Sequence, residues 1–123
     1  MALIPEPSVF SRILSGEIPA TILAETDRVF AINDIAPKAP VHLLVIPKTE
    51  VYRNVVELAA DAPDLLAEMV LMANELAAEH SGGEFRLIFN TGESVGQTVF
   101  HVHAHVLAGS PEQPLSEGSL GDG

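Results

Sequence analysis

Apolar positions fall into separate blocks along the chain, some at helical spacing and some alternating. In residues 8–16, Phe10, Ile13 and Leu14 share one helical face, Ser8 stands at the N-cap position and Gly16 marks a stop. Residues 21–25, 28–33 and 42–46 are β-rich, punctuated by Asp27 and the Pro37-Lys38-Ala39-Pro40 segment. Pro47 has no N–H for a ladder and is expected to close the third. Residues 62–80 carry the clearest helical period, with Leu65, Met69, Met72 and Leu76 on one stripe and Leu66, Val70 and Ala73 beside it. Asp61 is the expected N-cap, Pro63 and Asp64 fall in the first turn, and Ser81-Gly82-Gly83 ends the helix. Two more strands are expected at 85–90 and 99–107, joined by a loop at 91–97 longer than a tight hairpin needs. Five strands and two helices without strict β-α-β alternation predict an α+β domain on an antiparallel sheet. The domain is expected over 1–109, followed by a flexible acidic tail at 110–123.

Composition narrows the class of protein. Apolar content of 47% in 123 residues supports one domain with a real core. A net charge of −11, 5% aromatic residues and no Trp argue against nucleic acid as a partner. The absence of Cys removes thiolate catalysis and zinc sites with sulfur ligands. Neither a signal-like start nor an apolar run of about 20 residues is present, so a cytoplasmic protein without membrane contact is expected.

The chemistry concentrates in His101-Val102-His103-Ala104-His105. On a strand, the three imidazoles would share one face at intervals of roughly 6.5 Å. Packing gains nothing from three half-polar rings in a row, so function is the better explanation. A zinc site is one reading, but the outer two rings would lie about 13 Å apart along the strand. Such a site would more naturally use two of the rings with His42 or a carboxylate. Phosphoryl chemistry suits the spacing differently: His103 attacks phosphorus through one nitrogen while the other is oriented, and its neighbours bind oxygens or protonate a leaving group. Gly96-Gln97-Thr98, just upstream, can offer backbone N–H, amide and hydroxyl donors to an anion.

These pieces together resemble a known family. Pro40-Val41-His42-Leu43-Leu44-Val45-Ile46-Pro47-Lys48, Asn90-Thr91-Gly92, Gly96-Gln97-Thr98 and the His-Val-His-Ala-His-Val-Leu-Ala-Gly run are similar to the histidine triad (HIT) superfamily. Within it, the Hint-like purine nucleoside phosphoramidases match best, from about Phe10 to Gly109, including Glu17-Ile18-Pro19-Ala20 and Asn33-Asp34-Ile35-Ala36-Pro37. The resemblance implies a homodimer whose sheets join; no cofactor or metal is expected. It implies attack by His103 on the α-phosphate of a purine nucleoside phosphoramidate, then hydrolysis of the nucleotidyl-histidine to AMP or GMP. His105 would contact the phosphate and help the leaving group depart, while His101 and His42 support the network. Asp34 would accept from the ribose hydroxyls, Asn90 would hold phosphate or sugar oxygen, and Gly96, Gln97 and Thr98 would flank the anion. Phe10, Ile13, Ile18, Ile32 and Ile35 would form the base slot. Two departures bear on specificity: the tail has no aromatic residue, and Ile32 stands where an aromatic is often found. Alternatives left open are a dinucleoside polyphosphate hydrolase of the same superfamily and a nucleotide-sensing module with incidental turnover. Because His103 must be unprotonated to attack, activity is expected to fall on the acid side of the ordinary imidazole range.

Overall fold

The structure, a computed structural model, describes residues 6–116. Along the chain run α1 (Val9–Leu14), β1 (Ile22–Glu25), β2 (Val29–Asn33), β3 (Val41–Pro47), α2 (Val55–Asp61), α3 (Pro63–His80), β4 (Arg86–Ile88) and β5 (Ala104–Ala108). The strands form one antiparallel sheet in the order β1-β2-β3-β5-β4. This is the predicted α+β architecture with one helix more than expected.

Alternation along the strands divides the core in two. Val29 and Ala31, Leu43 and Val45, and Ala104 and Val106 meet Leu65, Met69, Met72, Ala73 and Leu76 of α3 and Leu58 of α2. The opposite residues, Phe30, Ile32, Leu44 and Ile46, pack against Phe10 and Ile13 of α1. His42 shares the parity of Leu44 and Ile46, and His105 pairs with Leu44 across β3 and β5. Both histidines therefore belong to the α1 face of the sheet.

Several elements depart from the sequence pattern. The unexpected α2 is capped by Asn54, whose side chain accepts from the Glu57 N–H. Asp61 is consequently the last residue of α2, and α3 has Ala62 at its N-cap with no side-chain cap. Asp64 turns outward to the Arg28 guanidinium at 3.0 Å instead of completing a capping box. Pro47 ends β3 from within, paired with Val29. β4 stops at Ile88, so Asn90 lies beyond the strand and not at its end. The largest correction concerns β5, which begins at Ala104 and not at residue 99. The preceding segment leaves the sheet because it bonds elsewhere: the Val102 N–H donates to the Tyr52 carbonyl at 3.0 Å.

The first part of the predicted tail folds back on the domain. Ser110 and Gln113 exchange backbone hydrogen bonds of 3.1 Å, and Arg86 Nη1 donates to the Ser116 carbonyl at 2.9 Å. A Cβ on Gly109 would stand 2.7 Å from the Gln113 carbonyl oxygen, so this turn admits only glycine. The rest of the tail, 117–123, lies outside the described residues. Among the described residues, no helix is long and apolar enough to cross a membrane.

Candidate active site

Only His105 of the three triad residues sits on a strand; His101 and His103 occupy the irregular segment before β5. The three rings nevertheless gather with His42 in one buried cluster. The His103 and His105 rings lie 5.2 Å apart, as do those of His42 and His105. The rings still share one side as expected, since Val102, Ala104 and Val106 turn to the α3 core while Phe10 of α1 meets His101 and His103.

Hydrogen-bond partners fix which nitrogen of each ring carries its proton. His101 Nε2–H donates to the Pro47 carbonyl at 2.6 Å, and its Nδ1 accepts from the Ser8 hydroxyl at 2.6 Å. Ser8 Oγ also accepts from the Ser11 N–H, so one side chain caps α1 and orients His101. Burial holds His101 below the ordinary imidazole range, against the opposing pull of the Pro47 carbonyl and the Glu50 carboxylate. Glu50 itself is held low, chiefly because it accepts from the Ser8 N–H. His103 Nδ1–H donates to the His101 carbonyl at 2.9 Å, which makes Nε2 the basic nitrogen of that ring. The Phe10 ring meets His103 edge-on at 4.9 Å and His101 at 5.6 Å, closing the cluster from the α1 side.

His42 Nδ1 accepts from the Lys38 backbone N–H at 2.9 Å, so its proton belongs on Nε2. That Nε2 lies 2.9 Å from His105 Nδ1 and 3.3 Å from Asp34 Oδ2. Asp34, His42 and His105 thus offer three donor atoms within 4.8 Å of one another, the mixed set of two rings and a carboxylate that a cation would use. The Lys38 N–H weighs against an ion here, because it places a proton on the very atom that would have to ligate one.

The remaining candidates divide into those gathered and those set apart. Phe10, Ile13 and Ile32 are buried in one apolar cluster on the α1 face, and Ile18 packs against it. Ile35 stands away from it, 97% exposed. Gly96, at φ 100°, ends the short 3-10 turn Glu93–Val95 in a conformation that favours glycine. Thr98 is exposed and Asn90 half-buried. An open groove lined by Ser8, Glu50, Thr98 and Val99 leads in to His101.

Gln97 is engaged by main-chain groups on three sides. It is buried, and its Oε1 accepts from the Gly92 N–H at 2.9 Å. Its Nε2 donates to the carbonyls of Arg53 and Val99 at 2.7 and 3.1 Å. The amide braces the loop through these three contacts. Contributions that the sequence pattern did not reveal come mostly from the main chain, at Lys38, Pro47 and His101; Ser8 was visible only as a cap.

Comparison with known proteins places the chain in a family. The HIT domain family profile matches residues 15–112. The chain belongs to the HIT family. Among its HIT relatives, an uncharacterised HIT-like protein of Synechocystis sp. is 46% identical over 86% of this chain and 93% of its own. The purine nucleoside phosphoramidase of Escherichia coli K12 is 38% identical over 89% of this chain and 93% of its own. The fold is also that of a HIT family hydrolase from Clostridium thermocellum, with TM-score 0.80 and 41% identity, covering 91% of this chain and 98% of that one.

Proposed function

We propose that the protein is a nucleotide-binding hydrolase that cleaves purine nucleoside phosphoramidates through a nucleotidyl-His103 intermediate. The observation that carries this reading is the 2.9 Å contact from His103 Nδ1–H to the His101 carbonyl. With that proton engaged, the Nε2 lone pair attacks the α-phosphorus and the P–N bond breaks. The amine departs with a proton supplied by His105, whose ring lies 5.2 Å from that of His103. Water then attacks the same phosphorus, the bond to His103 breaks, and a nucleoside monophosphate is released. Asp34 serves the ribose hydroxyls, and Phe10, Ile13, Ile18 and Ile32 serve the purine. Similarity to the Escherichia coli phosphoramidase supports the choice of bond. The active form is a homodimer in the cytoplasm.

The test is turnover of adenosine 5′-phosphoramidate by wild type and His103→Ala, with base-quenched samples weighed by mass spectrometry for an adenylyl adduct. Release of AMP by wild type, an adduct on His103, and loss of both in the variant are expected. Wild type that binds AMP but neither hydrolyses the amidate nor forms an adduct would overturn the enzyme in favour of a nucleotide sensor. Faster cleavage of a dinucleoside polyphosphate would change the substrate and keep the nucleophile.

A further inference from the structure

The Asp34 carboxylate has a neighbour that sugar binding does not explain. Its Oδ1 is engaged by the Ala36 N–H at 2.8 Å. Its Oδ2 lies 3.3 Å from His42 Nε2 and 4.0 Å from His105 Nδ1, and the side chain is only 15% exposed. The His42 Nε2–H thus faces two acceptors, His105 Nδ1 and the carboxylate. Of the titratable groups, Asp34 faces this ring pair from the turn after β2 and His103 from the segment before β5, while β4 presents Ile88 opposite His105.

We propose that Asp34 is a positioning residue: acting through His42, it holds His105 in the tautomer whose Nδ1 accepts and whose Nε2–H donates. The alternative arrangement would run the other way, from His105 Nδ1–H to His42 Nε2. It would turn a nitrogen lone pair toward Asp34 Oδ2 and set a proton on His42 Nδ1 against the Lys38 N–H. Carboxylate and backbone N–H therefore penalise the same wrong tautomer from two sides. In the right one, His105 presents an N–H to phosphoryl oxygens instead of a lone pair. The reactive consequence rests on the phosphoramidase reading; the tautomer itself does not.

Asp34→Asn makes the sharp test. Its carbonyl can keep the Ala36 N–H, which leaves the amide NH₂ facing the His42 N–H, donor against donor. Asp34→Ala removes the carboxylate without adding a donor. Both variants and wild type are assayed on adenosine 5′-phosphoramidate and on its 2′,3′-dideoxy analogue, which has no hydroxyls for Asp34. Wild type should lose mainly KM on the analogue. The variants should lose kcat on both substrates, by roughly tenfold for Ala, as for one hydrogen bond to a charged group, and more for Asn. If the variants match wild type in kcat on the dideoxy substrate, the carboxylate serves only the sugar and the proposal fails. The second readout needs no substrate: ¹⁵N spectra should show His105 protonated at Nε2 in wild type and shifted toward Nδ1 in Asp34→Asn. Unchanged His105 nitrogen shifts would refute the proposal even if the protein hydrolyses no phosphoramidate.

Discussion

Gln97 separates two readings of the same residue, because its position suggests an anion donor and its contacts make it a brace. Truncation in Gln97→Ala would strand three main-chain groups: the Gly92 N–H and the carbonyls of Arg53 and Val99. At about 1 kcal/mol for each group left without its partner, the expected loss is about 3 kcal/mol. Water reaching the rim of the loop reduces this figure, and lost burial of the side-chain methylenes raises it. At roughly 4 °C per kcal/mol for a chain of this size, Tm should fall by about 12 °C. Gln97→Glu keeps the acceptor for Gly92 but sets a carboxylate against two carbonyl oxygens, so near neutral pH it should not recover the loss. Calorimetry of the three proteins, with KM measured alongside, decides the matter. A Tm for Gln97→Ala within 2 °C of wild type, together with a raised KM, would mean that the amide reaches substrate and that the brace is wrong.

Two further predictions concern His101 and its cap. Ser8→Asp keeps an acceptor for the Ser11 N–H but replaces the hydroxyl donor facing His101 Nδ1 with a carboxylate, so NMR titration should find His101 moved upward; an unmoved titration would contradict the contact. His101 is held below its unfolded value of 6.5, so the unfolded chain takes up the proton first as pH falls. That stabilisation is therefore complete above pH 6.5 and is lost below it, down to the lower folded value. Thermal unfolding from pH 7.5 to 5 should show a decline that flattens in His101→Gln, and an identical slope in the variant would refute it.

How legible the protein was depends on whether a feature is written in side chains. The strand cores and the α3 stripe follow from apolar spacing, and the structure carries them as expected. The α2 helix has a signal in the sequence, since Asn54 stands three residues before Glu57 as a capping pair, but a helix of seven residues with one buried side chain shows little apolar period. Asp61 and Pro63 looked like the start of a single helix because a cap signature reads the same whether or not another helix precedes it. At β5 the alternation of residues 99–107 was real, but alternation reports which residues are apolar and not which backbone partner they find. Here Tyr52, remote in sequence, takes the Val102 N–H and draws the chain out of the ladder. Ile35 illustrates the same limit, since an apolar side chain in a turn can as well face water.

The early departure from the sheet is also what allows the nucleophile to be oriented. Had residues 101–103 continued the strand, their carbonyls and N–H groups would have been drawn into ladder bonds with neighbouring strands. Outside the ladder, the His101 carbonyl takes the His103 Nδ1 proton. His101 can serve in this way because its own ring is held at both ends, by the Pro47 carbonyl at the end of β3 and by the Ser8 hydroxyl at the start of α1. Across the cluster, the Lys38 N–H performs the matching service for His42, which passes its proton toward His105. The proton positions of four imidazoles are thus set from three main-chain groups and one helix cap, and of these only the His101 carbonyl lies within the histidine run. Replacing a ring removes one member of this set; moving one of those backbone groups would leave every ring in place with its proton on the wrong nitrogen.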